Sequence, residues 1–217
     1  MRAGLPRWIE VIVASLGLVL ASPLLVLIAV IVYWSSTGPV LFLQERVGRG
    51  GGVFRMAKFR TMASGKAGPR ITARGDTRVT AVGRVLRATK LDEVPELWNV
   101  VRGDMSLVGP RPEVPELVDL ESPAWKRVLL ARPGITDPVT LRLRDEELLL
   151  ASSGLDAETF YREKLLAWKL RGYASYLERR SPWSDLGVLL ATVAAVLRLT
   201  KPENLSVEEI MGEGTGW

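Results

Sequence analysis

Residues 87–112 read RATKLDEVPELWNVVRGDMSLVGPRP and place an adjacent carboxylate pair, Asp92 and Glu93, among basic side chains. The whole chain of 217 residues contains neither histidine nor cysteine. This composition excludes serine–histidine triads, thiol nucleophiles and the usual zinc sites. Covalent or acid–base chemistry must therefore use Asp, Glu, Lys, Ser, Thr or Tyr, and the Asp92–Glu93 pair is the leading candidate.

The same stretch predicts a helix over 93–102. Pro95 suits the first turn, where a missing backbone N–H costs nothing, and Gly103 suits the position after the last turn. Asp92 would then lie close to the N-cap, where free N–H groups and the helix dipole keep a carboxylate ionised and attract phosphate. In the alternative without function, Asp92 is only an N-cap and Glu93 only a first-turn charge. The surrounding motifs weigh against that alternative.

Upstream, residues 1–36 are predicted to form a membrane segment. Residues 11–34 carry no charge and are long enough to cross a bilayer, and they are too long for the apolar core of a signal peptide. Ser22 and Pro23 lie in the middle of this run, where proline frees a carbonyl and bends a helix, and basic residues flank both sides. We favour a helix that enters, breaks at Ser22-Pro23 and returns over a simple spanning helix, although proline also occurs in spanning helices.

Residues 37–180 are predicted to form a catalytic domain, and residues 181–217 an interfacial C-terminal helix and tail. The predicted elements of the domain are strands at 39–44 and 53–62, a polar loop at 64–76, helices at 78–89, 93–102 and 156–179, and an irregular stretch at 103–115. The 156–179 helix is an ordinary amphipathic helix on the simplest interpretation, and near a membrane it could lie on headgroups. Residues 186–197 are apolar but too few to span, so they predict an interfacial or buried helix, and the tail from Lys201 is predicted to be loose.

The formal net charge of +5 indicates an anionic partner: nucleic acid, anionic lipid or a phosphorylated substrate. A membrane-anchored scaffold that binds lipid or nucleic acid would explain the charge and the apolar segment. It would not explain the embedded acidic pair or the Gly109-Pro110-Arg111-Pro112 turn, and the basic residues lie in short clusters instead of one uniform run. We therefore expect anionic membrane lipids as partners and no nucleic acid.

Several ordered segments resemble a known family. They are residues 42–48 (FLQERVG), 54–62 (FRMAKFRTM), 76–80 (DTRVT), 91–100 (LDEVPELWNV) and 103–112 (GDMSLVGPRP), followed by a weaker match at 132–136 (RPGIT). The family is that of the bacterial sugar transferases, also called monotopic phosphoglycosyl transferases. Any one segment alone is a weak signal, whereas the ordered set is highly specific.

The resemblance implies a fold, a reaction and a location. The implied fold is α+β: a mostly helical catalytic domain with a small β-hairpin, anchored by an N-terminal re-entrant membrane helix and interfacial amphipathic helices. Such enzymes transfer a phosphosugar from a UDP-sugar to polyprenyl (undecaprenyl) phosphate, giving a polyprenyl-diphosphate sugar and UMP. This is the first membrane step in the synthesis of exopolysaccharide, O-antigen, capsule or glycoprotein glycans. The implied location is the cytoplasmic face of the bacterial inner (plasma) membrane, in a monotopic arrangement.

The resemblance also implies roles for individual residues. Asp92 matches the nucleophile that takes the phosphosugar as an acyl phosphate, and Glu93 matches its partner, with both carboxylates near a Mg²⁺ ion for which Mn²⁺ could substitute. The basic residues that match phosphate-binding positions are Lys58, Arg87 and Arg111. Asp185 matches, more loosely, a substrate-binding carboxylate near the membrane face.

Two questions stay open from the sequence. A metal-dependent phosphohydrolase acting on lipid or nucleotide diphosphates is the nearest alternative, and it would need several clustered carboxylates, which Asp76, Asp92, Glu93 and Asp104 could supply. The identity of the sugar is also open, because residues 137–147 (DPVTLRLRDEE) depart from the pattern of many family members. The chain resembles the minimal catalytic form of the family, without the long N-terminal extension of larger members.

Overall fold

A computed structural model describes residues 2–63, 65, 76–143, 145–200 and 205–212. The helices are α1 (Arg7–Ser35), α2 (Ala81–Thr89), α3 (Glu96–Arg102), α4 (Pro123–Val128), α5 (Pro138–Arg142), α6 (Glu146–Ser152), α7 (Ala157–Phe160), α8 (Leu166–Arg179), α9 (Pro182–Val196) and α10 (Val207–Met211). The strands are β1 (Leu41–Val47), β2 (Val53–Phe59), β3 (Ser106–Val108) and β4 (Gly134–Thr136). The predicted class, mostly helical with a small β-hairpin, is confirmed. Most of the predicted 64–76 loop lies outside the described residues.

The predicted hairpin is formed by β1 and β2. The strands pair antiparallel from Leu41 opposite Phe59 to Val47 opposite Val53. Their connection contains Gly50 and Gly51 at φ values of 71° and 84°, which glycine adopts without steric cost. This hairpin places Lys58, near the end of β2, beside the turn that carries the acidic pair.

The predicted helix over 93–102 begins later than expected. A single 3₁₀ turn (Leu91–Glu93) follows α2, and α3 starts at Glu96, so Pro95 precedes the helix instead of lying in its first turn. The reason is Lys90, whose left-handed backbone (φ 58°) ends α2 and turns the chain sharply before α3 can begin. Gly103 ends α3 at φ 97°, as the sequence predicted.

The stretch 103–115, predicted to be irregular, contains the short strand β3. It pairs in parallel with β4 through Ser106 opposite Gly134 and Val108 opposite Thr136. The backbones at Gly109 and Gly134 approach so closely that neither position has room for a Cβ atom. These two glycines therefore fix the start of the turn that carries Arg111.

The predicted 156–179 helix is divided into α7, one π-helical turn (Tyr161–Leu165) and α8. Its aromatic side chains Phe160, Trp168 and Tyr173 are buried in the main hydrophobic core. The simplest interpretation of this helix, amphipathic and packed on the core, is thus supported over the headgroup alternative. The C-terminal tail was predicted to be loose, but it contains the helix α10. A capping box at Ser206 and the burial of Ile210 explain why this part of the tail is ordered.

Helix α1 runs from Arg7 to Ser35 with Pro23 inside it, so no non-helical residue marks the predicted break, and a bend at Ser22-Pro23 stays a prediction. Pro23 has no N–H for the carbonyl of Val19, four residues earlier, and the Ser22 hydroxyl donates to that oxygen at 2.7 Å instead. Within the described residues, α1 is one helix long and apolar enough to cross a membrane. The predicted return of this segment to the same side of the bilayer stays a prediction.

Both ends of α1 contact the rest of the molecule. Glu10 and Ala14 are buried near its start, and Ile28 and Val32 are buried near its end, whereas most of the middle is exposed. The apolar segment at 186–197 is helical as predicted and begins at the Ser181 capping box of α9, with many apolar side chains exposed. Its location in a membrane interface stays a prediction.

Candidate active site

The acidic pair lies on the 3₁₀ turn between α2 and α3, packed against β2. Asp92 is 7% exposed, and within the described chain its Oδ1 atom has no hydrogen-bond partner. Buried polar atoms are nearly always hydrogen-bonded, so an unpaired carboxylate oxygen needs an explanation. A role in contacting a ligand would explain why this oxygen has no partner in the protein.

Glu93 is held by two basic residues that the sequence predicted for the site. Lys58 Nζ donates to Glu93 Oε1 at 2.8 Å, and Arg111 donates to both carboxylate oxygens. Burial favours the neutral carboxyl, but the charges of Arg111 and Lys58 outweigh it and hold the pKa of Glu93 well below its usual range. The structure therefore brings Glu93, Lys58 and Arg111 together as an ionised cluster.

Asp92 differs from Glu93 in its electrostatics. Burial, and secondly the charge of Glu93, raise the pKa of the Asp92 carboxyl, against the opposing charge of Lys58. The sequence predicted the opposite influence, stabilisation of the carboxylate by a helix N-terminus. The predicted position of Asp92 close to the N-cap is wrong, because α3 starts four residues later, at Glu96, and Pro95 occupies its N-cap.

Glu96 belongs to the same cluster and was not predicted. Its side chain is fully buried, Lys58 Nζ lies 3.2 Å from its Oε1 without hydrogen-bond geometry, and its oxygens have no hydrogen-bond partner among the described residues. Burial raises the pKa of Glu96, the Glu93 charge acts in the same direction, and Lys58 opposes both. The spacing from Glu93 to Glu96 is three residues, which places side chains on one side of a helical turn and was the available signal.

Arg111 is fixed by the turn that carries it. The carbonyl of Pro112 accepts from Arg46 Nη1 at 2.9 Å, and the carbonyl of Pro110 accepts from the backbone N–H of Gly134 at 3.0 Å. The next residue, Glu113, is buried and pairs with Lys169 at 3.0 Å. These contacts hold the turn on both sides of Arg111, so its guanidinium is positioned before any ligand binds.

Arg87 lies at the edge of the site. Its Nε donates to Thr61 Oγ1 at 3.2 Å and its Nη1 donates to Glu147 Oε1 at 2.7 Å. Its charge acts on Asp92, where it lowers the pKa. The structure thus places Arg87 within electrostatic range of the predicted nucleophile, as the sequence predicted.

Asp185 is in a different environment. Its carboxylate is fully buried and accepts hydrogen bonds from Arg180, Tyr176 and the backbone N–H of Leu5. Arg180 also donates to the carbonyl of Val108 at 2.8 Å. These contacts identify Asp185 as a structural anchor between the chain before α1 and the start of α9, and they lend no support to its predicted role in substrate binding.

A family model described as bacterial sugar transferase matches residues 1–199. The chain belongs to the bacterial sugar transferase family. The family predicted from the ordered motifs is confirmed.

Three curated relatives illustrate the similarity of this sugar transferase family member to known proteins. It is 40% identical over 196 residues to the UDP-glucose:undecaprenyl-phosphate glucose-1-phosphate transferase of Caulobacter vibrioides, covering 88% of this chain and 69% of that protein. It is 43% identical over 139 residues to the UDP-N-acetylgalactosamine-undecaprenyl-phosphate N-acetylgalactosaminephosphotransferase of Aeromonas hydrophila, covering 62% of this chain and 33% of that protein. It is 33% identical over 207 residues to the exopolysaccharide production protein ExoY of Rhizobium meliloti, covering 88% of this chain and 84% of that protein.

The donor set fits a Mg²⁺ ion that is completed by substrate. Among the described residues there is no group of three or more acidic side chains arranged to hold a metal. Mg²⁺ is commonly held by one or two carboxylates together with phosphate oxygens and water, and the adjacent carboxylates of Asp92 and Glu93 are the protein groups that could serve such an ion here.

The carboxylate set needed by the phosphohydrolase alternative is not assembled. Asp76 pairs with Arg78 through hydrogen bonds of 2.6–3.1 Å, and Asp104 contacts Asn99 and Arg102 at 3.3 and 3.5 Å. Neither joins Asp92 and Glu93 in a group that could position a hydrolytic water with several carboxylates. The described residues therefore weigh against that alternative.

Proposed function

We propose that this protein transfers a phosphosugar from a UDP-sugar to polyprenyl (undecaprenyl) phosphate, giving a polyprenyl-diphosphate sugar and UMP. The observation that carries the proposal is the buried Asp92, with an unpaired carboxylate oxygen, beside a Glu93 held by Lys58 and Arg111. The names of the relatives support the donor and acceptor classes. The name of the Rhizobium relative supports a place in exopolysaccharide production.

In the proposed reaction, Asp92 Oδ1 attacks the phosphorus that bears the sugar. The bond from this phosphorus to the bridging oxygen breaks, and UMP leaves with that oxygen. The phosphosugar is then held on Asp92 as an acyl phosphate. An oxygen of polyprenyl phosphate attacks the same phosphorus, and the bond to Asp92 breaks to restore the carboxylate. A covalent intermediate lets two bulky substrates use one site in turn.

The basic residues supply the charge that a carboxylate needs to approach a diphosphate. Arg111 has a planar guanidinium suited to two phosphate oxygens, Lys58 provides a compact charge next to the acidic pair, and Arg87 acts from the edge. Each such contact contributes about 3 kcal/mol in comparable transition states. Burial of Asp92 keeps water from the nucleophile, which favours transfer over hydrolysis.

Mg²⁺, with Mn²⁺ as a possible substitute, is part of the proposal. Asp92 and Glu93 are the residues that would hold the ion together with the substrate phosphates. The ion, when bound, neutralises diphosphate charge and stabilises the leaving UMP.

We further propose a monotopic arrangement on the cytoplasmic face of the bacterial plasma membrane. Near the start of α1, Arg7 donates to Met105 O at 2.9 Å, and Glu10 Oε1 accepts from the N–H of Leu107 at 3.2 Å. Near its end, the carbonyl of Val32 accepts from Arg60 Nη2 at 3.0 Å. A straight spanning helix would separate two ends that here contact one globular body. Basic residues on both flanks favour the cytoplasm.

In this arrangement residues 1–36 are the membrane segment, 37–180 the catalytic domain and 181–217 the interfacial unit. Exposed apolar side chains on α1, α9 and β1 would face the acyl chains, and the net positive charge would favour anionic lipids. An acceptor phosphate at the headgroup plane is then within reach of a site held at that plane.

The topology can be tested with single cysteine reporters, because the chain has no native cysteine. Exposed Ala3 and Thr37 are suitable positions, whereas a Cβ at Gly4 would overlap Arg180 and Asp185. Both reporters are expected to be labelled from the cytoplasmic side alone. Labelling of Ala3→Cys from the opposite side would contradict the monotopic arrangement.

The reaction is tested by incubating membranes that contain the protein with a panel of UDP-sugars, with and without undecaprenyl phosphate. We expect one or a few UDP-sugars to sustain UMP release and form a lipid-linked sugar only when the acceptor is present, and without acceptor UMP release should stop at the amount that matches the enzyme. Excess chelator should stop the reaction reversibly. Equal release of UMP without acceptor would show hydrolysis and refute the proposed transfer.

A further inference from the structure

The ion pair between Arg87 and Glu147 joins the candidate site to a segment outside the family motifs. Glu147 Oε1 accepts from Arg87 Nη1 at 2.7 Å, while Arg87 Nε is held by Thr61 Oγ1 at 3.2 Å. Glu147 lies in the first turn of α6, and that helix is anchored because Leu149 and Leu150 are buried in the main core. The pair is therefore a contact between two ordered elements.

The same turn of α6 also contacts α8 through Glu146. Glu146 pairs with Lys169 at 3.4 Å, and Lys169 also pairs at 3.0 Å with Glu113, which follows Arg111 by two residues. Arg87 in turn acts electrostatically on Asp92. The first turn of α6 thus carries two negative charges, one paired with Arg87 and the other linked through Lys169 and Glu113 to the turn that carries Arg111.

We propose that Glu147 occupies the phosphate-binding face of Arg87 in the free enzyme and is displaced by the phosphate of the donor, so that Glu147 sets donor affinity. The inference rests on the proposed function, which supplies the phosphate. A carboxylate and a phosphate oxygen compete for the same guanidinium N–H groups, because both bind arginine through charge-assisted hydrogen bonds.

The exposure of the Arg87–Glu147 pair explains why a phosphate can displace Glu147 from its arginine but cannot displace the more buried carboxylates of the site. The Glu147 side chain is 48% exposed, whereas that of Glu93, which holds Lys58 and Arg111, is 16% exposed. Exposed ion pairs are weak and are screened by salt. After Glu147 leaves, Thr61 still holds Arg87 Nε, so the guanidinium stays oriented toward the site.

The test compares Glu147→Gln with a matched control, Glu178→Gln, in the full-length protein in lipid nanodiscs. Glu178 forms a similarly exposed pair with Arg127 at 2.9 Å, on α8 and α4 instead of the site. Binding of UMP and the KM for the preferred UDP-sugar are measured at low and high ionic strength. Since an exposed pair contributes 0.2–1 kcal/mol, Glu147→Gln should tighten UMP binding and lower KM by about 1.5- to 5-fold at low salt. The control should change neither quantity.

Two further measurements separate competition from a structural role. The effect of Glu147→Gln should shrink at high salt, and it should disappear in the Arg87→Ala background, because the two residues act through one contact. A drop in kcat and thermal stability with unchanged or raised KM would overturn the inference, as would an equal gain in both backgrounds. If the wild type neither binds UMP nor releases it from any UDP-sugar, the proposed function itself fails; if the wild type is active and Glu147→Gln equals it, only this inference fails.

Discussion

Two deeply buried carboxylate clusters in this molecule differ in how far their oxygens are satisfied. Asp185 accepts hydrogen bonds on both oxygens, from Arg180, Tyr176 and a backbone N–H. Asp92 Oδ1 and Glu96 Oε2 have no hydrogen-bond partner within the described part of the chain, and Glu96 Oε1 has a single ion-pair contact there, with Lys58 Nζ at 3.2 Å. Leaving a buried polar group unsatisfied costs about 1–3 kcal/mol. The cluster around Asp185 thus stabilises the fold. The cluster that contains Asp92 and Glu96 lowers stability and keeps carboxylate oxygens available for a ligand.

The largest expected effect is that of Asp92→Asn. The amide has nearly the same shape but cannot act as the nucleophile, so kcat should fall about 10⁴-fold or more. The thermal unfolding temperature should not fall, because no hydrogen bond to Oδ1 is lost. Transfer assays and unfolding in detergent measure the two quantities, with the exposed Asp119→Asn as control. Substantial transfer by Asp92→Asn would refute the assignment.

Asp185→Asn is expected to lower stability while leaving kcat nearly unchanged, which is the opposite of the result for Asp92→Asn. Removing the Asp185 charge leaves Arg180 buried without its partner, which should lower the free energy of unfolding by about 3 kcal/mol. The kcat of the folded fraction should stay within about threefold of the wild type, because the contacts of Asp185 anchor α9 and the N-terminal residues. Lost transfer with unchanged unfolding would instead restore the predicted role of Asp185 in substrate binding.

Glu96→Gln tests the difference between the two clusters at a second residue of the cluster that contains Asp92. The variant removes a buried charge, so stability should rise slightly or stay constant. Lys58 would then pair with Glu93 alone, and kcat should fall about tenfold, less than the 10²-fold typical of removing a transition-state donor. Glu96→Asp should recover part of the lost rate. Unchanged kcat together with a large loss of stability would make Glu96 a structural residue like Asp185.

The smallest effect concerns the pH dependence of stability. Burial and the Glu93 charge raise the pKa of Asp92, so its stabilising contribution is complete below the unfolded-state pKa and is lost as pH rises through the folded-state pKa. Asn at this position cannot titrate. The stability of Asp92→Asn relative to the wild type should therefore increase as pH rises above about 4, and then level off. A relative stability that decreases over this range would contradict the raised pKa.

The sequence predicted those features that depend on local pattern. The hairpin of β1 and β2, the end of α3 at Gly103 and the approach of Lys58 and Arg111 to Glu93 all follow from residue type, spacing or the family resemblance. The predicted start of α3 was wrong because the chain turns at Lys90, whose backbone is left-handed. Glycine or asparagine usually marks such a position in a sequence, and lysine gives no such signal.

Features that depend on long-range contacts could not be predicted. The partner of Arg87 is 60 residues away at Glu147, and the carboxylate of Asp185 is bound by a backbone N–H at a separation of 180 residues. The parallel pairing of β3 with β4 joins two three-residue strands, too short for any periodicity to reveal. Each of these contacts depends on how distant elements pack, which a local pattern does not specify.

The central claim, that Asp92 is the nucleophile because its buried oxygen is left unpaired, is tested most directly by trapping the intermediate. The wild-type protein is incubated with its UDP-sugar in the absence of polyprenyl phosphate, quenched, digested and analysed by mass spectrometry. The account predicts one phosphosugar on the peptide that contains Asp92, with none in Asp92→Asn and an unchanged label in Asp185→Asn. A phosphosugar on any other residue, or release of UMP in amounts matching the enzyme with no labelled peptide, would contradict it.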